Sequence, residues 1–144
     1  MHLVWAKPLP LRISAENYVY ELDVASVPTA PGIYCFYRQH GDTQSVLYVG
    51  KAENLRARIK QQLNAVKLML ATKNSSAGSR YLVFGEFAGK PGQQYRKCLP
   101  VIARGLIRHF LSKGHDLLNK QGTRIAQHTV VSKRNHLKNL IPRA

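Results

Sequence analysis

Two tyrosines and an arginine stand at spacings that build a reaction centre: Tyr34 in Gly32-Ile33-Tyr34, Tyr48 in Tyr48-Val49-Gly50, and Arg58 shortly after Asn54-Leu55. A hairpin brings the phenols together, and the helix that follows can aim the guanidinium at the same spot. Arginine offers a planar fork that matches phosphate oxygens and is always charged. A phenol can hold or relay a proton, although with a pKa of about 10 it is a poor base at neutral pH. The chemistry this trio suits is cleavage of a phosphodiester bond.

The elements that must position these groups follow from pattern. Ile33-Tyr34-Cys35-Phe36-Tyr37 and Val46-Leu47-Tyr48-Val49 are rich in β-branched and aromatic residues, with polar Gln39-His40-Gly41-Asp42-Thr43-Gln44 between them. The pair reads as two antiparallel strands and a turn. With the turn centred on Gly41, Tyr34 and Tyr48 are cross-strand partners on one face, Cβ atoms about 4.5–5.5 Å apart. A slip of one residue sends one of them to the other face. Asn54 is a favourable helix cap, and Leu55, Ile59, Leu63 and Val66 follow at helical spacing. Tyr81-Leu82-Val83-Phe84 predicts a third strand. A second helix spans roughly Gln94 to Ser112, starting or kinking at Pro100 and ending at Gly114. Its face Ile102/Leu106/Phe110 with Ala103/Ile107/Leu111 is apolar. Tyr81, Tyr95 and Phe110 read as core before they read as base-stacking platforms.

The chain has 144 residues, 44% of them apolar, which fits a single domain over 1–144: an N-terminal arm over 1–27, a motif core over about 28–119 and a basic tail over 120–144. Its net charge is +15, from 22 Lys+Arg against 7 Asp+Glu, and this argues for a polyanionic partner. The charge is uneven: residues 87–144 hold twelve bases and one acid, Asp116. No run of 18 apolar residues or secretory pattern is present, so the expected location is cytoplasmic. Cys35 and Cys98 read as reduced core thiols, and no CxxC or Cys/His spacing suggests zinc. The histidines, His109 and His115 among them, read as polar surface or phosphate contacts.

The ordered series Val27-Pro28, Pro31-Gly32-Ile33-Tyr34, Tyr48-Val49-Gly50-Lys51-Ala52, Asn54-Leu55, Arg58, Leu106-Ile107 and Leu118-Asn119 resembles the GIY-YIG nuclease superfamily. It looks like the small stand-alone bacterial members, and its first half is similar to the N-terminal nuclease domain found in bacterial excision-repair endonucleases. The resemblance implies an α+β fold, a three-stranded antiparallel sheet flanked by helices. It also implies a DNA endonuclease using Mg²⁺ or Mn²⁺ to make single-strand cuts. By resemblance Tyr34 is the general base, its phenolate favoured by Lys51 and the metal or its proton passed along a water chain, Tyr48 orients it, Arg58 faces the scissile phosphate, and Asn119 holds backbone or phosphate. Lys51, Arg56, Arg58, Lys60, Gln62, Arg104 and Arg108 are the expected nucleic-acid contacts. With no reading module or zinc finger in view, single-stranded or branched DNA is expected over duplex, with no obligate protein partner.

Two positions depart from the family pattern. Gln62 stands where many members carry His or Tyr, and it cannot shuttle a proton. Ala103 stands at the position of the metal-binding glutamate, three residues before Leu106-Ile107. Loss of that carboxylate implies a catalytically silenced protein, the replacement being natural or made by design, and more simply the latter because Tyr34, Tyr48, Lys51 and Arg58 are intact. Glu53, Glu86 and Asp116 do not substitute for it convincingly. The alternative is a non-catalytic nucleic-acid-binding module of the same ancestry. A peripheral-membrane role lacks an amphipathic segment with aromatic anchors.

Overall fold

The computed structural model describes residues 2–13, 20–65, 78–89, 94–118 and 131–133, together with Leu68, Thr72 and Gly92. Three strands form the centre: β5 (Gly32–His40), β6 (Thr43–Ala52) and β7 (Ser79–Ala88), in the antiparallel order β6-β5-β7. The sheet is larger than the expected three strands. The N-terminal arm adds β1 (His2–Trp5) and β2 (Leu9–Pro10), both antiparallel to β7, and β8 (Val131–Lys133) lies parallel to β1. Between β1 and β2 the arm stays bonded to β7 through the Ala6 N–H on the Phe84 carbonyl, 3.0 Å. Pro10, which has no N–H to give, sits on a strand whose far side carries no ladder among the described residues, where proline is tolerated. A separate two-stranded ribbon pairs β3 (Arg12–Ile13) with β4 (Tyr20–Glu21), and a 3₁₀ turn spans Val24–Ser26.

Helices cover both faces of the centre. Helix α1 (Leu55–Leu63) buries Leu55, Ile59 and Leu63 against Tyr34, Phe36, Leu82 and Phe84. Helix α2 (Tyr95–Ser112) buries Leu99, Ile102, Leu106 and Phe110 against Ile33, Cys35, Val49 and Val83. With a helix on each side, residues 32–37 of β5 are buried without a break, as expected for a strand covered on both faces. The α1 stripe stands as anticipated over these residues; Val66 lies outside the described ones.

Helix α2 runs through Pro100 rather than starting there, because its first turn is already closed by the Lys97 and Cys98 N–H groups on the Gln94 carbonyl, each 3.0 Å. It ends as its glycine requires. Gly114, at φ 88°, adopts the left-handed conformation while its N–H bonds Leu111 O at 3.1 Å and the His115 N–H bonds Phe110 O at 3.0 Å. This double bond pattern is a Schellman motif. Among the described residues no helix is long and apolar enough to cross a membrane.

The hairpin differs from its expected register. Its turn is Gly41-Asp42, with Gly41 at φ 60° and His40 paired to Thr43, so the centre lies half a residue beyond Gly41. Pairing runs Tyr37↔Val46 and then Phe36↔Tyr48, which leaves Leu47 as the extra residue of a β-bulge. Tyr34 is therefore opposite Gly50, and Tyr48 is its diagonal neighbour. Carried through without the bulge, the turn-end register would place Tyr34 opposite Val49 and turn Tyr48 to the α2 face. The bulge restores the shared face that a symmetric turn would have supplied.

Candidate active site

Strand β6 is an edge strand, and the site is built along it. Tyr34, one strand inward, lays the end of its ring over Gly50, where a Cβ would overlap both the ring and its hydroxyl. Glycine at 50 is thus a condition of the tyrosine's placement. Tyr48 lies beside it with ring centroids 6.1 Å apart and planes inclined 34°, and Phe36 completes the triangle at 5.8 and 6.3 Å. Gly32 serves close packing too: a Cβ there would run into the Gly85 carbonyl and stand 2.8 Å from Leu55 Cδ1.

The start of α1 is fixed from three directions. Asn54 Oδ1 accepts the Ala57 N–H at 3.0 Å, while the Leu55 and Arg56 N–H groups bond the carbonyls of Ala30 and Pro28 at 3.0 and 3.1 Å. These bonds satisfy N–H groups that a helix start otherwise leaves open. Arg58, in that first turn, is exposed; its Nη1 donates to Gln61 Oε1 at 3.2 Å, and its charge acts on the Tyr34 hydroxyl.

Tyr34 is wholly inaccessible, and its hydroxyl makes no bond of full hydrogen-bonding geometry, although Tyr48 and Arg58 are its polar neighbours. Burial pushes its pKa far above the ordinary phenol value, Tyr48 pushes the same way, and the opposing pull of Arg58 is smaller. Burial and Tyr48 thus work against the phenolate that the general-base role expected of Tyr34 would use. Tyr48, only half-buried, is the phenol of the pair that water reaches.

The other predicted residues divide between the two faces. Lys60 is exposed and Gln62 half-buried on α1, whereas Arg56 is engaged with the backbone, Nε to Val27 O at 2.7 Å and Nη2 to Ala25 O at 3.3 Å. Lys51 is exposed opposite Ile33, so strand alternation directs it to the α2 side, and it is not among the groups that shift Tyr34. Ala103 lies in the α2-side cluster, 6% exposed, with exposed Arg104 and Arg108 on the same helix. Phe110 is core, and Tyr81 stacks on Tyr37 at 5.4 Å rather than standing free. Asn119 lies outside the described residues.

Magnesium and manganese take hard oxygen ligands, carboxylates above all. The side chains acting on the Tyr34 hydroxyl are a phenol and a guanidinium, and position 103 is a methyl group inside an apolar cluster. Among the described residues, those at this centre do not fit a divalent ion. Among the described residues no three His, Cys, Asp or Glu side chains gather into a metal cluster elsewhere.

Sequence reasoning missed one contact at the site's margin. His115, read as surface, is half-buried and its Nδ1 accepts the Val46 N–H at 2.9 Å. The signal available was its place directly after the helix-ending Gly114.

Residues 30–77 match the UvrC-like GIY-YIG domain. The chain is similar to UvrABC system protein C of Thermobifida fusca, 59% identical over 34 residues, which is 24% of this chain and 5% of that protein. It is similar to the same protein of Frankia casuarinae, 59% over 45 residues, 31% and 6% of the two, and of Flavobacterium psychrophilum, 41% over 46 residues, 32% and 7%. The matched stretch thus spans a small fraction of these relatives' length. No solved structure matches.

Proposed function

From the match of residues 30–77 to the UvrC-like GIY-YIG domain, we propose that this chain acts on DNA with the phosphodiester-cleaving architecture of an endonuclease, held silent by Ala103. The observation that carries the reading is the trio gathered at the sheet edge: Tyr34 over Gly50, Tyr48 beside it, and the Arg58 charge acting on the Tyr34 hydroxyl. A net charge of +15 supplies the attraction to a polyanion.

In this arrangement Arg58 meets the phosphate and stabilises charge growing on its non-bridging oxygens. Tyr48, the more accessible phenol, stands nearest the attacking water and handles its proton. Tyr34, neutral and buried, holds the geometry of both. The metal-dependent cutting expected of the family requires the missing carboxylate, so the protein as it stands binds the backbone without cutting it. Its preferred ligand is single-stranded or branched DNA, since one edge-strand site offers no symmetric partner for the second strand of a duplex.

The test is a cleavage assay on matched single-stranded and duplex DNA with Mg²⁺ or Mn²⁺, using the protein and Ala103→Glu. The original is expected to leave DNA intact and the variant to cut, with Tyr48→Phe or Arg58→Ala in that background lowering the rate by several powers of ten. A folded variant that binds DNA and metal yet never cuts replaces this reading with the binding-module one. Tighter binding to duplex reverses the substrate ranking.

A further inference from the structure

The bulge that sets the face of Tyr48 is held from outside the hairpin. Two bonds from the segment after α2 take up backbone groups of β6 at the bulge and beside it: Val46 N–H to His115 Nδ1 at 2.9 Å, and Leu118 N–H to Leu47 O at 2.7 Å. His115 is fixed in turn by the Schellman end of α2 and by edge contact with the Phe110 ring, centroids 5.4 Å apart. Leu117, between the two bonding residues, is buried with the α2-side core.

We propose that His115 is a positioning residue for the phenol pair: its neutral imidazole, by accepting the Val46 N–H, holds the Leu47 bulge and so keeps Tyr48 on the face of Tyr34. The proposal rests on the reading of those tyrosines as one site, but its geometry can be tested without any nuclease activity. Without the bulge, strand alternation carries Tyr48 toward the α2 side.

An acceptor at Nδ1 must be unprotonated. The groups facing His115 are His109 and Phe110 from α2 and uncharged Val46 from β6, with Arg38 of β5 bonded to the adjacent Ser45 at 3.2 Å and Asp116 next in the chain. Burial, then His109, hold its pKa below the ordinary imidazole value. A lowered folded-state pKa means the bond is intact above about pH 6.5 and is lost as acid protonates the ring. The bulge is therefore expected to loosen in acid while the rest of the sheet persists.

The experiment is NMR of the labelled full chain from about pH 8 to about pH 5, spanning the imidazole range, following Val46 amide protection, the His115 ring and contacts between the Tyr34 and Tyr48 rings. In the wild type, Val46 protection should fall about tenfold as His115 protonates, roughly one hydrogen bond's worth, and the ring contacts should weaken with it. His115→Asn, whose side-chain oxygen replaces the acceptor, should keep both and be insensitive to pH. His115→Phe should lose both throughout. Unchanged Val46 protection in His115→Phe, or ring contacts in the wild type that ignore a completed His115 titration, overturns the proposal; should His115→Phe not fold, the wild-type titration decides alone. If the NMR result holds while Ala103→Glu never cuts DNA, the positioning stands and the nuclease reading fails.

Discussion

The two faces of the central sheet are built from the same three strands and do different work. On the α2 face the side chains are almost uniformly apolar and interlock around Ile102, Leu106 and Phe110, the buried Trp5 Nε1, which has no hydrogen-bond partner, being a polar exception. On the α1 face, toward the β6 edge, a fully buried hydroxyl without a well-formed bond lies over a glycine beside a charged helix start. Burying a polar group so incompletely costs free energy, so this corner is maintained by the packing around it. The comparison teaches where stability and chemistry separate: one face supplies cohesion, the other uses part of it to hold groups in an unfavourable setting.

The largest effect should come from breaking the cohesive face. Ile102→Ala, 1% exposed, removes buried volume and should cost about 2–5 kcal/mol, read as a lower denaturant midpoint, with the Tyr34–Tyr48 contact preserved in the surviving folded fraction. Gly50→Ala should cost about 1–3 kcal/mol by overpacking and, unlike Ile102→Ala, should displace the Tyr34 ring, which aromatic NMR contacts would show. An equal loss of phenol geometry in both variants would end the distinction between the faces.

Alkaline pH should sharpen it. Tyr34 and Cys35 have pKa values raised by burial, and Tyr37 is pushed up to about 12 by burial and by Tyr81. Groups with raised folded-state values stabilise fully below their unfolded-state pKa, and that stability is lost as pH rises through the folded ones. Stability should therefore hold to about pH 9 and then fall, and Tyr34→Phe should make the fall shallower while changing stability little at neutral pH. A fall of unchanged steepness would mean the α1-face phenol is not what alkali attacks.

Smaller effects should separate the cations. Arg58→Gln is expected to reduce the salt dependence of DNA binding by about one phosphate contact, and Arg108→Gln, across the sheet, by less. Equal reductions would place DNA on both faces. Glu53→Gln breaks only an exposed ion pair with Arg96, 3.0 Å long, and should leave thermal melts almost unchanged.

Much of this was legible because it is local. Asn54 reads as a cap, and it caps; Leu55, Ile59 and Leu63 recur at helical spacing, and they are buried; Gly114 ends α2 with a left-handed turn. The pairing of Tyr34 and Tyr48 was legible only as an association. A half-residue shift of the turn and a one-residue bulge at Leu47 compensate each other, and the bonds that stabilise the bulge come from residues 115 and 118, far along the chain. Periodicity does not register such a remote partner. The arm strands were missed because four- and two-residue runs flanked by prolines carry too little pattern, and their structure comes from the β7 ladder they join. The division of Lys51 and Ala103 from the phenols was hidden for the same reason, since the face of a strand residue depends on register.

The parallel pairing of β1 with β8 has a kinetic side. His2 lies opposite Val131, so forming this contact closes a loop of nearly the whole chain, whereas the β5–β6 hairpin closes across two residues. Loop-closure entropy and contact order both place such a pairing late in folding. The hairpin that carries the phenols is then the early structure, and the β1–β8 seam is the last to zip and the first to open. Hydrogen exchange under native conditions should find the β1–β8 amides exchanging through smaller openings than those of β5 and β6.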